Sequence, residues 1–218
     1  MIMDSAALLR LLTWLSPAFP TGGFAYSHGL EWSVDAGEVS DEAALVAWVR
    51  DVLAQGASWS DVILLRHAHR GGDLAALAEL GVALAPCAER RLETLAQGAA
   101  FARAASAWPA AALRDWGDGP LPYPVAVGIL AAAQGVGEAD AAVAYLHAAV
   151  ANLVSAAVRL IPLGQSAGLR AQAALEADIL AVVAATRDAG VDDLGGAAWA
   201  SEIAAMRHET QYTRLFRT

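Results

Sequence analysis

Leu8, Leu11, Leu12 and Leu15 recur at the i, i+3, i+4, i+7 spacing of one helix face, with Asp4 or Ser5 available as a cap. The period then stops at Ser16 to Gly23, where Pro17 and Pro20 fix φ and remove backbone donors. A second helix is expected from about Phe24 to Ala36, with Tyr26, Leu30 and Val34 on one face, Gly29 in its interior and Gly37 as its stop. Ser40, Asp41 and Glu42 open a third, which puts acids where the helix dipole favours them; its stripe is Leu45, Trp48, Val49 and Val52. The period continues through Trp59, Val62, Ile63 and Arg66 to Arg70, breaks at Gly71 and Gly72, and resumes over Leu74–Leu84. Pro86 is suited to the first turn of a long helix reaching Ser106, with Leu92, Leu95, Ala96 and Ala99 in phase. Trp108 to Pro124 carries four prolines and no period, and reads as a loop. Further helices are expected at about 124–135, 139–160, 166–186 and 194–207. No segment alternates with period two over a useful length. The predicted fold class is all-α: a single domain over 1–218, a bundle of roughly eight to ten helices, with a C-terminal tail at 208–218.

Composition narrows what such a bundle can do. Hydrophobic residues make up 57% and charged residues 17%, so part of the surface is expected to lie against a partner. The net charge of −9, without a basic cluster, argues against nucleic acid and anionic membranes as partners. All 14 basic residues are arginine. A P-loop NTPase, a Schiff-base enzyme and a pyridoxal-phosphate enzyme each require a lysine, so those classes are excluded. Cys87 is the only cysteine, which leaves no disulfide and fits a reducing, cytoplasmic setting. Asp4 and Arg10 interrupt the first apolar run, against a signal peptide. The uncharged stretch Ala141–Val158 reads as a buried helix rather than a membrane span, being alanine-rich with His147, Asn152 and Ser155 inside it.

Candidate chemistry is sparse. His67 and His69 stand two apart on a helix, on different faces, and cannot share an ion. His28, His147 and His208 are isolated and read as surface or hydrogen-bonded histidines. Cys87 lies near a helix start that could lower its pKa, or is a half-buried small residue. Asp192 and Asp193 lack the later acid of a magnesium-binding pair. The expectation is a protein with no catalytic residue, no cofactor site and no metal site. Two anomalies remain. A glycine inside a helix costs about 1 kcal/mol against alanine, so Gly29 implies a close approach by another element. The tail joins Tyr212, Leu215 and Phe216 to Arg207, Arg214 and Arg217 on an acidic protein, a mixture typical of interface anchors.

Three stretches carry a resemblance: Ser16 to Glu31 (SPAFPTGGFAYSHGLE), Pro162 to Gln165 (PLGQ), and His208 to Arg217 (HETQYTRLFR). In this order and at these places they resemble the family of urease accessory proteins UreF, along essentially the whole chain. The resemblance implies an all-helical, cytoplasmic, homodimeric protein with no active site of its own. It implies three partners: the accessory protein UreD (also called UreH), the GTPase UreG, and apo-urease, to which the complex delivers nickel. An alternative is regulation of the UreG GTPase cycle in trans. The positions carried over as partner-binding are Pro20, Gly22, Gly23, Phe24, Tyr26, His28 and Glu31 in the loop. In the tail they are His208, Glu209, Tyr212, Arg214, Leu215, Phe216 and Arg217. Phe24 matches the face that recruits the GTPase, and Arg214 the arginine that orders the tail; tail ordering is tied to UreD binding. The family is also credited with an internal passage for nickel. The loop and the tail are therefore expected to form one surface, with Phe24 and Arg214 close in space.

Overall fold

A computed structural model of the protein describes residues 4–218. Twelve α-helical segments follow one another, with no strand among the described residues: α1 Ser5–Trp14, α2 Leu30–Asp35, α3 Glu42–Gln55, α4 Ala57–His69, α5 Leu74–Ala83, α6 Ala88–Ala104, α7 Ala111–Arg114, α8 Tyr123–Ala133, α9 Glu138–Leu160, α10 Gly164–Ala174, α11 Glu176–Ala185 and α12 Trp199–His208. Seven of the expected boundaries need only small shifts; the count exceeds eight to ten because loops and one long helix break up.

The hub is α9. It packs against α10, α4, α11, α2, α8 and α3, burying Ala141, Ala142, Leu146, Val150, Leu153, Ala156 and Ala157. Four of its nine buried residues are alanine, in two adjacent pairs that let neighbouring helices approach closely. By length and composition α9 could cross a membrane, and half of its most apolar window is buried inside the fold. Beside it, α4 crosses α8 at Gly128, where a Cβ would collide with the backbone oxygen of Leu65. Polar ties close the frame. Buried Arg66 bonds Glu138 at the start of α9 and donates to the Val183 oxygen on α11 at 2.6 Å, while Arg70 binds the same carboxylate at 2.7 Å. Asp41 and Asp73 cap α3 and α5 by accepting from Ala44 N at 2.8 Å and Ala76 N at 3.1 Å. An aromatic chain, Phe19–Phe101–Tyr123–Tyr145, runs with centroid spacings of 5.4, 5.5 and 5.5 Å towards the centre.

Several expectations are corrected. Residues 24–36 are not one helix: a 3-10 turn over Gly23–Ala25 leads to extended Tyr26, and α2 starts only at Leu30. His28 and Gly29 both take left-handed φ, 57° and 82°, which no right-handed helix can contain. The helix expected at 166–186 is two, because the Leu175 amide bonds Gln172 O at 3.2 Å in a tightened turn. Cys87 is the N-cap of α6 and Pro86 precedes it. Inward faces also differ. On α1 the buried residues are Ala7, Leu11 and Trp14, while Leu8 and Leu12 are exposed. On α6 the buried residues are Glu93, Gln97, Gly98 and Phe101, and Leu92 faces outward. On α12 the stripe Trp199, Ile203 and Met206 lies at the surface, and Ala204, Ala205 and His208 face in.

Candidate functional site

The left-handed pair His28–Gly29 turns the chain sharply out of the proline-glycine loop and into α2. A Cβ on Gly29 would sit 2.5 Å from the Ala205 amide nitrogen, so α12 rests directly on the loop backbone. The close approach inferred from Gly29 is present, although the residue caps a helix instead of interrupting one. Seating α12 there carries the tail back across the loop. Arg217 N donates to Ala25 O at 2.8 Å, and Ser27 N to the backbone oxygen of Thr218 at 2.9 Å, with the Ser27 hydroxyl on the same oxygen. Loop and tail thus form one surface through main-chain bonds.

Three acids hold this junction, Glu31 and Glu93 buried and Glu89 partly so. Glu31, at the start of α2, accepts from Leu215 N at 2.7 Å, Phe216 N at 2.9 Å and His208 Nε2 at 3.1 Å. Glu89, in the first turn of α6, meets His208 Nδ1 at 2.7 Å and Arg214 Nη1 at 2.6 Å. Glu209 in turn accepts from Glu89 N at 3.1 Å, satisfying a free donor of that helix start. Glu93, one turn further along α6, pairs with Arg90 and accepts from His28 Nε2 at 2.8 Å, Gln97 Nε2 at 2.9 Å and the Thr218 hydroxyl at 3.0 Å. Burial pushes the Glu93 carboxyl up, but Arg90 and His28 outweigh it and hold the group down at about 2. Burial, helped by the nearby Arg90 charge, lowers His28 against the pull of Glu93, which its Nε2 faces.

The expected partner-binding residues divide into supports and exposed contacts. Tyr26, His28, Glu31, His208 and Phe216 are enclosed or partly enclosed and build the junction. Phe24, Tyr212 and Leu215 are offered outward at 68%, 102% and 75% exposure. Phe24 and the tail are joined through Arg159 of α9, whose Nη2 donates to Phe24 O at 2.8 Å while its guanidinium stacks 4.3 Å over the Phe216 ring. Arg214 reaches the same junction through Glu89. Gly22, in a left-handed turn at φ 76°, and Pro20 shape the exposed loop.

Against the loop lies a cavity of about 300 Å³, lined by Pro17 and Phe24 and by Asp61, Arg90, Glu93 and Tyr145. A smaller one of about 80 Å³ opens beside Gly195, Glu202 and Ala205. The two cavities share His28, Asp61, Arg90 and Thr94 in their linings. Tyr145 donates to Asp61 at 2.8 Å. Burial pushes Asp61 up to about 6, against the hydrogen bond from Tyr145 and the charge of Arg90; its partial exposure is to the cavity. Sequence reasoning missed Asp61, Glu89, Arg90, Glu93 and Arg159. A signal existed for Glu93 and Gln97, polar residues four apart that share a face with Phe101. Cys87 is half-buried, and burial pushes its thiol up. His67 and His69 bond backbone oxygens at Ala189 and Val136, at 3.0 and 2.8 Å. Among the described residues no three His, Cys, Asp or Glu side chains are grouped to hold a metal ion.

Comparison with known proteins gives one family. Residues 39–176 match the UreF family. A urease accessory protein UreF from Cereibacter sphaeroides is 54% identical over 214 residues, covering 98% of this chain and 100% of the relative. One from Rhodopseudomonas palustris is 50% identical over 225 residues, 99% of this chain and 93% of the relative. Another, from a Bradyrhizobium species, is 48% identical over 225 residues, with 99% and 94% covered.

Proposed function

The chain belongs to the UreF family of urease accessory proteins, and on that premise we propose that it is an assembly adaptor for urease maturation. In this reading it acts in the cytoplasm as a homodimer. It joins UreD (UreH) and the GTPase UreG to apo-urease, and the complex delivers nickel as its cargo. One observation carries the reading: the tail is bonded to the Gly22–Glu31 loop, leaving Phe24, Tyr212 and Leu215 displayed on a junction that buried acids hold in place. Rigid aromatic and aliphatic anchors on a pre-organised base are what a protein partner recognises. Further apolar side chains at the surface, Leu9, Leu12, Leu169 and Trp199, suit a chain that works inside a complex. The cavity lined by Asp61 and Glu93 offers oxygen donors for weak, exchangeable contacts with the cargo, which suits its transit.

Co-purification with the accessory partners tests the proposal. The chain is expected to form a complex with UreD and to recruit UreG to it, and failure to bind UreD at about micromolar concentration, a modest affinity for a functional assembly, overturns the adaptor reading. Turnover of GTP by UreG, with and without this chain, separates adaptor from regulator: an unchanged rate leaves the adaptor alone.

A further inference from the structure

The cavity against the loop holds a set of oxygens that lack donors. Asn152 Nδ2 donates to the Tyr26 oxygen at 3.1 Å, and Gln97 Nε2 donates to Glu93 Oε1 at 2.9 Å. A carbonyl and an ionised carboxylate only accept, so both amides are fixed with their NH2 groups there and their oxygens turned away. Those oxygens meet beside Gly23. The nearest atoms to a Cβ built on that glycine, its chain neighbours aside, are Thr21 Oγ1 at 3.7 Å, Gln97 Oε1 at 3.9 Å and Asn152 Oδ1 at 4.0 Å. Among the described residues none of the three receives a hydrogen bond, and Gln97 is only 8% exposed. Enclosed acceptors cost free energy until a donor reaches them. We propose that this niche binds a primary ammonium group, which brings one N–H to each of Thr21, Gln97 and Asn152.

The cavity wall supplies the matching charge and a seat for the stem. Thr21, Gly23, Gln97 and Asn152 all line it, and Arg90 stands there against two carboxylates, Glu93 and Asp61, which leaves one negative charge in excess. Glu93 is engaged by Arg90, His28, Gln97 and Thr218, whereas Asp61 accepts only from Tyr145 among the described residues. Burial pushes Asp61 up, as it does for a carboxylate short of a compensating cation. Trp14, Tyr123 and Tyr145 add aromatic wall, suited to an alkyl stem and to cation–π contact. A divalent cation fits the niche less well. Calcium and magnesium take about six oxygen ligands, with carboxylates among them, and the three oxygens here are neutral. An ammonium has three donors for three acceptors. All 14 basic residues of the chain are arginine, so neither its own side chains nor those of a second copy supply the group. It comes from a small amine or from a lysine of another protein.

Where the group is a partner's lysine, this inference rests on the reading of the Phe24 face as a partner surface; the test of the niche itself uses the full chain without partners. The side-chain amide resonances of Gln97 and Asn152 are followed by NMR at neutral pH in phosphate buffer, while n-butylammonium chloride is added at constant ionic strength. The expected result is a saturable shift of both, with a midpoint of about 1–10 mM for so small a ligand. Tetramethylammonium carries the charge without N–H donors and is expected to bind at least about tenfold more weakly. In Gly23→Ala the added methyl fills the niche at van der Waals distance from all three oxygens, so the fold is expected to stay while the butylammonium midpoint rises at least about tenfold. The proposal is overturned by no saturable shift, by equal binding of tetramethylammonium, by an unchanged midpoint in a folded Gly23→Ala, or by saturation with magnesium or potassium chloride at lower concentration. The comparison of the two ammonium ions uses the wild type alone and decides the matter even if the variant misfolds. Repeating the titration with a protein partner docked on the loop–tail face separates the sources. A response lost with the native partner and restored with its lysine-dimethylated form assigns the niche to that partner's lysine; a response kept with both assigns it to a small amine. A failed pull-down leaves the ammonium niche standing, and a missing shift leaves the adaptor reading standing.

Discussion

Burial in the cavity pushes Asp61 up to about 6, above the value of about 3.9 for a free aspartate. The unfolded chain therefore releases this proton first. The stability tied to the protonated carboxyl is fully present below about pH 4 and is lost as pH rises through about 6, a loss of roughly 2–3 kcal/mol. Asp61→Asn keeps an acceptor for Tyr145 and removes the titration. Urea unfolding at a series of pH values is expected to show wild type losing stability across that window relative to the variant, with the variant about 2 kcal/mol more stable at pH 7. Parallel curves for the two proteins would contradict it. Glu93 has the opposite sign. Its carboxyl sits at about 2, so its contribution holds above about pH 4 and disappears only as pH falls through 2. The two acids share one cavity, and their different partners, Tyr145 for one and Arg90 with His28 for the other, separate them.

At the scale of elements, the decisive contact is α12 on the His28–Gly29 turn. Any side chain on Gly29 meets the Ala205 backbone, which cannot move without shifting the whole of α12, and the left-handed φ adds strain. Gly29→Ala is expected to cost about 2–4 kcal/mol, seen as a lower urea midpoint, and to loosen the tail that α12 positions. Gly29→Leu should be worse. Unchanged midpoints would mean that α12 can slide away freely. The register of α6 carries the same lesson in another form: burying Glu93 and Gln97 puts Leu92 at the surface, because that face supplies the polar side chains of a cavity wall.

For the molecule as a whole, the tail and the loop lie 190 residues apart in sequence where His28 meets Thr218. Arg214 is half-exposed, and its pair with Glu89 sits at the rim of the junction, so removing it should spare the helical frame. Arg214→Ala is expected to retain the helical circular-dichroism spectrum and the unfolding midpoint to within about 1 kcal/mol, while weakening recruitment of UreG on size exclusion. Normal complex formation by this variant would remove the tail from the recruiting surface.

Hydrophobic period, turn residues and helix-cap acids were enough to establish an all-helical chain, to locate most of its helices, and to single out Gly29 and the tail as misfits. Those are local properties, decided within a few residues by backbone sterics and by the alternation of apolar and polar positions. Which face of α1, α6 and α12 turns inward was decided only by packing, since leucine stripes compete with Trp14, with buried Glu93 and Gln97, and with the small Ala204–Ala205 seat. The loop-and-tail surface was legible as two unusual stretches; that they bond to each other depends on where α12 comes to rest. The acids that clamp them, Glu89 and Glu93, look in the chain like ordinary helix-surface charges. Their roles come from long-range neighbours, Arg214, His208, His28 and Thr218, which no local period can reveal.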